Sequence, residues 1–68
     1  MNIVTKFPGP EDLIGTFRRL SSAGEVYQIL RVLRQLGNND VMMEVKLVKS
    51  GEEVEYLYTN ILDDPQEE

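Results

Sequence analysis

Residues 22–36 read SAGEVYQILRVLRQL, and the class of the fold turns on this stretch. As a helix it is well formed. Ser22 and Glu25 have capping-box spacing, Val26, Ile29, Leu30, Leu33 and Leu36 recur at helical intervals, and Gly37 suits a C-terminal cap. As a strand it is equally well supplied. Val26, Tyr27, Ile29 and Val32 are β-branched or aromatic, and the following GNND is rich in turn formers. Neither strand face is cleanly apolar, because Gln28 and Arg34 share a face with Val26, Leu30 and Val32. A β-bulge that switches faces partway would reconcile them. The residues of this segment leave both readings open.

Downstream the pattern is less divided. Residues 41–60, VMMEVKLVKSGEEVEYLYTN, hold two alternating runs around Ser50-Gly51. With Ser50-Gly51 as a two-residue hairpin loop, Leu47 faces Val54, Val45 faces Tyr56 and Met43 faces Tyr58. All six then lie on one side of the hairpin. The other side pairs Val48 with Glu53, Lys46 with Glu55 and Glu44 with Leu57. Upstream, Pro8-Gly9-Pro10 breaks any regular element, since proline fixes φ and lacks an N–H. Pro10, Glu11 and Asp12 suit a helix start, while Gly15-Thr16-Phe17 argues for a bend into a strand. The organisation read from these breaks is one domain over residues 1–68: an N-terminal arm at 1–9, a body at 10–62 and an acidic tail at 63–68, DDPQEE, interrupted by Pro65.

At 68 residues the chain builds a single core, and folding buries only about 60% of its surface. No cysteine is present to staple it, and no histidine. Small domains of this kind gain stability from a partner chain. The missing residue types exclude a Ser-His-Asp triad, a cysteine nucleophile and an imidazole base, and they argue against zinc. No cofactor is expected, and the chain reads as a non-enzyme. The apolar runs are too short for a membrane span or a secretion signal, so a cytoplasmic location is the expectation. Charge is divided unevenly. Residues 1–36 carry Lys6, Arg18, Arg19, Arg31 and Arg34 against Glu11, Asp12 and Glu25 (5 − 3 = +2). Residues 37–68 carry Lys46 and Lys49 against Asp40, Glu44, Glu52, Glu53, Glu55, Asp63, Asp64, Glu67 and Glu68 (2 − 9 = −7).

The runs GTFRRL, GEVYQIL, KSGEEVEY and ILDDP, over residues 15–65, resemble an uncharacterised family of very short bacterial proteins. Their layout is similar to that of SH3-type small barrels: a first strand, a long bent second strand, a hairpin, then a short turn ending in an acidic residue and proline. The resemblance implies a fold and no particular activity. It favours the strand reading of residues 25–36, with strands near 15–20, 25–36, 41–49 and 53–58. TNIL at 59–62 would plug one end through Ile61 and Leu62. The expected fold is therefore mainly β, an SH3-like small barrel or a strongly bent antiparallel meander of four to five strands. The alternative is α+β, with one or two N-terminal helices packed on the C-terminal hairpin. In the β reading Phe17, Tyr27, Leu30, Val32, Val45, Leu47, Val54, Tyr56 and Ile61 make most of the core.

Two sets of residues are candidates for contact with a partner. Met42, Val48 and Leu57 would form an apolar strip on the outer side of the hairpin, and Glu52, Glu53 and Glu55 an acidic surface beside it. This favours a small protein-interaction module, as a homodimer or on another protein, with an acidic inhibitor of antitoxin or anti-defence type as its concrete form. Alternatively, Arg18, Arg19, Arg31 and Arg34 form a patch for nucleic acid. Against that, the aromatics are only Phe7, Phe17, Tyr27, Tyr56 and Tyr58, and most are needed inside. Those arginines can also pair with Glu44, Glu53 or Glu55.

Overall fold

A computed structural model describes residues 9–21 and 24–67. The N-terminal arm expected at 1–9 lies outside these apart from Gly9, and so does Ser22 of the capping box. A short 3-10 turn (Pro10–Leu13) leads to β1 (Phe17–Arg19), β2 (Val26–Gln35), β3 (Val41–Leu47), β4 (Glu53–Leu57), a helix α1 (Tyr58–Asp63) and β5 (Gln66–Glu67). The five strands form one antiparallel sheet in the order β4-β3-β2-β1-β5. The fold is the bent meander, not a closed barrel, and the α+β alternative is overturned: residues 26–35 are a strand. No helix of the described residues is long and apolar enough to cross a membrane.

β2 resolves the ambiguity of its sequence by bulging twice. Its pairing with β3 slips between Ile29 and Arg31, and again between Val32 and Arg34. Each slip leaves one extra residue, Leu30 and then Leu33, and resets which side the next side chain takes. Tyr27, Ile29 and Val32 therefore turn inward, while Arg31 and Arg34 both turn outward. Two bulges in one strand also bend and twist it, which is how so short a sheet curves over its core.

The β3–β4 hairpin keeps the face read from its sequence but in another register. Val45 faces Val54, Met43 faces Tyr56 and Lys46 faces Glu53. The loop is wider than two residues. The Gly51 N–H donates to the Leu47 carbonyl at 2.7 Å, and the Leu47 N–H to the Glu52 carbonyl at 2.8 Å. A two-residue loop needs positive φ at both central residues or a glycine at the first. Ser50-Gly51 offers its glycine second, so the chain spends four residues, 48–51, and places only Gly51 at positive φ, +78°. The pairing moves by two residues, which leaves the strand side chains on their expected sides, but Tyr58, expected opposite Met43, begins α1 instead. It does set Glu44 against Glu55. Their repulsion is relieved by Arg31, paired with Glu44, and by Arg34, 3.0 Å from Glu55.

The inner face packs Tyr27, Ile29, Met43 and Val45 against Leu13 of the 3-10 turn and Ile61 of α1, all buried. Leu47, Val54, Tyr56 and Leu62 lie against this cluster. Two expectations fail. Phe17 is 38% exposed, because its partner is Gln28 and it shares that residue's outer side. Leu30 is a bulge residue outside the core cluster, and Ile29 fills the place expected for it.

Two aspartates position α1. Its N-cap, Leu57, has no side chain able to accept a bond, so the capping comes from the β2–β3 loop. Asp40, 8% exposed, accepts the Thr59 hydroxyl at 2.7 Å and the Thr59 N–H at 3.3 Å. A carboxylate at a helix N-terminus also meets the positive end of the peptide dipoles. The Thr59 hydroxyl bond, with the Val41 and Thr59 N–H groups, holds the Asp40 carboxyl below its ordinary value of 3.8. A depressed folded-state value means that this stabilisation is present above about pH 4 and is lost as pH falls through the folded value. Asp40→Ala is expected to lower the melting temperature at pH 7 and to flatten the acid limb of the stability profile, readable by thermal melts from pH 2 to 7.

At the other end of α1, Asp64 ties three elements together. Its Oδ2 accepts the Tyr27 hydroxyl at 2.7 Å and the Tyr56 hydroxyl at 2.9 Å. The two rings meet edge to face at 5.4 Å between centroids. The Asp64 carbonyl accepts Arg18 Nη1 at 3.0 Å. The segment expected as an acidic tail is thus built into the fold, and Gln66–Glu67 completes the sheet beside β1. Burial first, then the Asp64 bond, push the Tyr56 hydroxyl up to about 12 from its ordinary 10.0 and push Tyr27 up as well. A raised folded-state value means that this stabilisation is whole below pH 10 and is lost as pH rises through about 12. Alkaline unfolding should therefore begin above pH 10 and coincide with tyrosinate absorbance.

Candidate functional site

Alternation places a second set of side chains on the outer face of the sheet, in four rows. The first row is Arg19, Val26 and Val48. Arg19 faces Val26, and the Val48 N–H donates to the Val26 carbonyl at 3.0 Å. The second is Glu67, Phe17, Gln28, Lys46 and Glu53. The third is Arg31, Glu44 and Glu55, and the fourth is Arg34, Met42 and Leu57.

The residues of the expected apolar strip are all outward or in the loop, but they do not form one strip. Met42 and Leu57 are directly paired. Val48 sits in the loop at the opposite end of β3, separated from them by two rows of charge, and is 51% exposed. Its neighbours are instead Val26 and Phe17. With Glu67 these line an open groove of about 360 Å³. A second groove adjoins it on the other side of Val26 and Val48, bordered by Arg19, Gly24, Glu25 and Lys49. Neither Val26 nor Phe17 was singled out as a contact residue. The signal was present in the alternation Phe17-Arg18-Arg19, which sends Phe17 and Arg19 to the side opposite Arg18 and Tyr27.

The acidic candidates are dispersed by their partners. Glu52 is exposed beside the loop, with its N–H on the Ser50 hydroxyl at 3.1 Å. Glu53 faces Lys46, and Glu55 accepts Arg34. The four arginines do not make one patch. Arg18 points inward to Asp64. Arg19 grips Glu67 through Nε and Nη2 at 3.1 and 3.0 Å, and its Nη1 donates to the Gly24 carbonyl at 3.0 Å. The Glu67 bonds push Arg19 further above its ordinary value, so it is always charged. Arg31 and Arg34 are paired with Glu44 and Glu55. On this face Arg19, Arg31, Arg34 and Lys46 are set against Glu44, Glu53, Glu55 and Glu67, so four positive charges match four negative ones.

The apolar side chains of the face stand apart from the core. Val26, Met42 and Leu57 are half-buried, yet none belongs to the buried cluster or to the residues packed on it. Among the described residues no group of three or more acidic side chains could hold a metal ion. Such a surface offers apolar contact and directional ion pairs.

No curated protein matches the chain. A family of unknown function, DUF5397, matches residues 5–68, and the chain belongs to that family.

Proposed function

We propose that the chain is a protein-binding module that docks through the outer face of its sheet. One observation carries this reading: Phe17 and Val48 are 38% and 51% exposed and flank Val26, while the inner face already has its core. Apolar side chains grouped around a groove and rimmed by ion pairs are the usual anatomy of a contact surface. The strand order, with β5 returning beside β1 after a short helix, supports reading the meander as an open form of the SH3-type layout. An inhibitor that covers a basic protein would draw on Glu52 and the acids outside this face. The nucleic-acid alternative finds less support, since each of the four arginines is already bonded within the chain.

The test is a pair of single variants, Phe17→Ser and Val48→Lys. Both positions are exposed, so stability should change by no more than about 1 kcal/mol. Complex formation, followed by size-exclusion chromatography of tagged protein expressed in its host, should be lost in both. Retention of the complex by both variants would contradict the proposal.

A further inference from the structure

The outer face is electrically neutral in a chain whose net charge is −5. Its four cations and four carboxylates cancel, as do Glu25 and Lys49 at its rim, so the surplus acid, including Glu11, Asp12, Glu52 and Asp63, lies elsewhere. Two chains of like charge repel at most approaches. They meet with least repulsion where neither brings an excess. We propose that the occupant of the outer face is a second copy of this chain, related by a two-fold axis and packed sheet face on sheet face. This rests on the reading of that face as the docking surface.

A two-fold interface uses the same patch twice, so the patch must complement itself. This one does. β2 carries Arg31 and Arg34 outward and β4 carries Glu53 and Glu55, on either side of β3, so a two-fold axis running along β3 sets the cations of one copy over carboxylates of the other. The apolar ends, Val26–Val48–Phe17 and Met42–Leu57, are shielded from water by the contact. A foreign acidic or basic partner would gain nothing from a neutral face. Pairing through the free edge of β4 is disfavoured, because it would bring Glu53 and Glu55 of one copy against the same residues of the other.

The test is sedimentation velocity of the full chain across the micromolar range, with two oppositely charged variants. Arg34→Glu with Lys46→Glu makes the face acidic, and Glu53→Lys with Glu55→Lys makes it basic. All four positions are exposed, and far-UV circular dichroism should match the wild type. The wild type should sediment as a dimer. Each variant alone should dissociate at roughly tenfold lower concentration-normalised affinity or worse, and an equimolar mixture should regain the dimer. Val48→Lys, on an exposed loop, provides a second disruption should either double variant fail to fold. A wild type that stays monomeric overturns self-pairing. If Val48 is then still needed for a complex with another protein, the docking face stands and only its occupant is wrong. A dimer that survives both charge variants and Val48→Lys overturns self-pairing at this face and the docking reading with it.

Discussion

Replacing Tyr27 with alanine is expected to unfold most of the population at 25 °C. The side chain is fully buried, and large aromatic-to-alanine changes in cores cost about 3–5 kcal/mol. Total stability at this chain length is roughly 3–10 kcal/mol. The loss exceeds cavity formation alone. Tyr27 supplies one of the two hydroxyls on Asp64 Oδ2 and the edge-to-face contact with Tyr56. Without it the carboxylate that holds the end of α1 to β2 keeps the Tyr56 hydroxyl and a long bond, 3.4 Å, from the Ser21 N–H. Tyr27→Phe separates the two contributions. It keeps the ring and removes one hydrogen bond, for a loss of about 1 kcal/mol or somewhat more. Urea titration followed by circular dichroism reads both. A Tyr27→Ala variant as stable as Tyr27→Phe would contradict the packing described.

The second large effect is expected from one methyl group. A Cβ built on Gly24 would stand 1.7 Å from the Leu20 carbonyl oxygen and 2.7 Å from its carbon. These are backbone atoms, so no rotamer change gives way. The Leu20 N–H is itself bonded to the Glu25 carbonyl at 2.8 Å, and Arg19 holds the Gly24 carbonyl, which together fix the turn between β1 and β2. Gly24→Ala must break that turn and with it the approach of Arg19 to Glu67. A loss of about 3 kcal/mol or more is expected, at the upper end of overpacking costs. Gly37→Ala is the control. An added Cβ there meets nothing within 4 Å, and the change should fall within about 0.5 kcal/mol of wild type. Equal melting temperatures for the two variants would show that the β1–β2 turn is not held as described.

Much of the hairpin was legible because alternation survives an error of two residues. Met43, Val45, Leu47, Val54 and Tyr56 share the inner side in either register. The turn itself was misread because Ser50-Gly51 carries its glycine in the second place. β2 was illegible for a related reason. Bulges at Leu30 and Leu33 put inward residues at 27, 29 and 32 and outward arginines at 31 and 34. Intervals of three are what a helix face also shows, so periodicity could not separate the two. β5 left no local signal, since Gln66 and Glu67 are polar and follow a proline. Their place is set by β1 and by the Arg19–Glu67 pair. The cap from Asp40 to Thr59 spans 19 positions and depends on the sheet bringing the two residues together. Of the candidate contact surface, the Met42–Leu57 pair followed from the sequence. The neighbourhood of Val48 did not, because it comes from β1 and β2.

The claim that the outer face receives another protein is tested most directly by photo-crosslinking in the host. A photoreactive phenylalanine analogue is placed at position 48 on the outer face, or at position 11 in the 3-10 turn, both exposed. A discrete protein–protein adduct from position 48 and none from position 11 is the expected result. No adduct from position 48, or the same adducts from both positions, would contradict it.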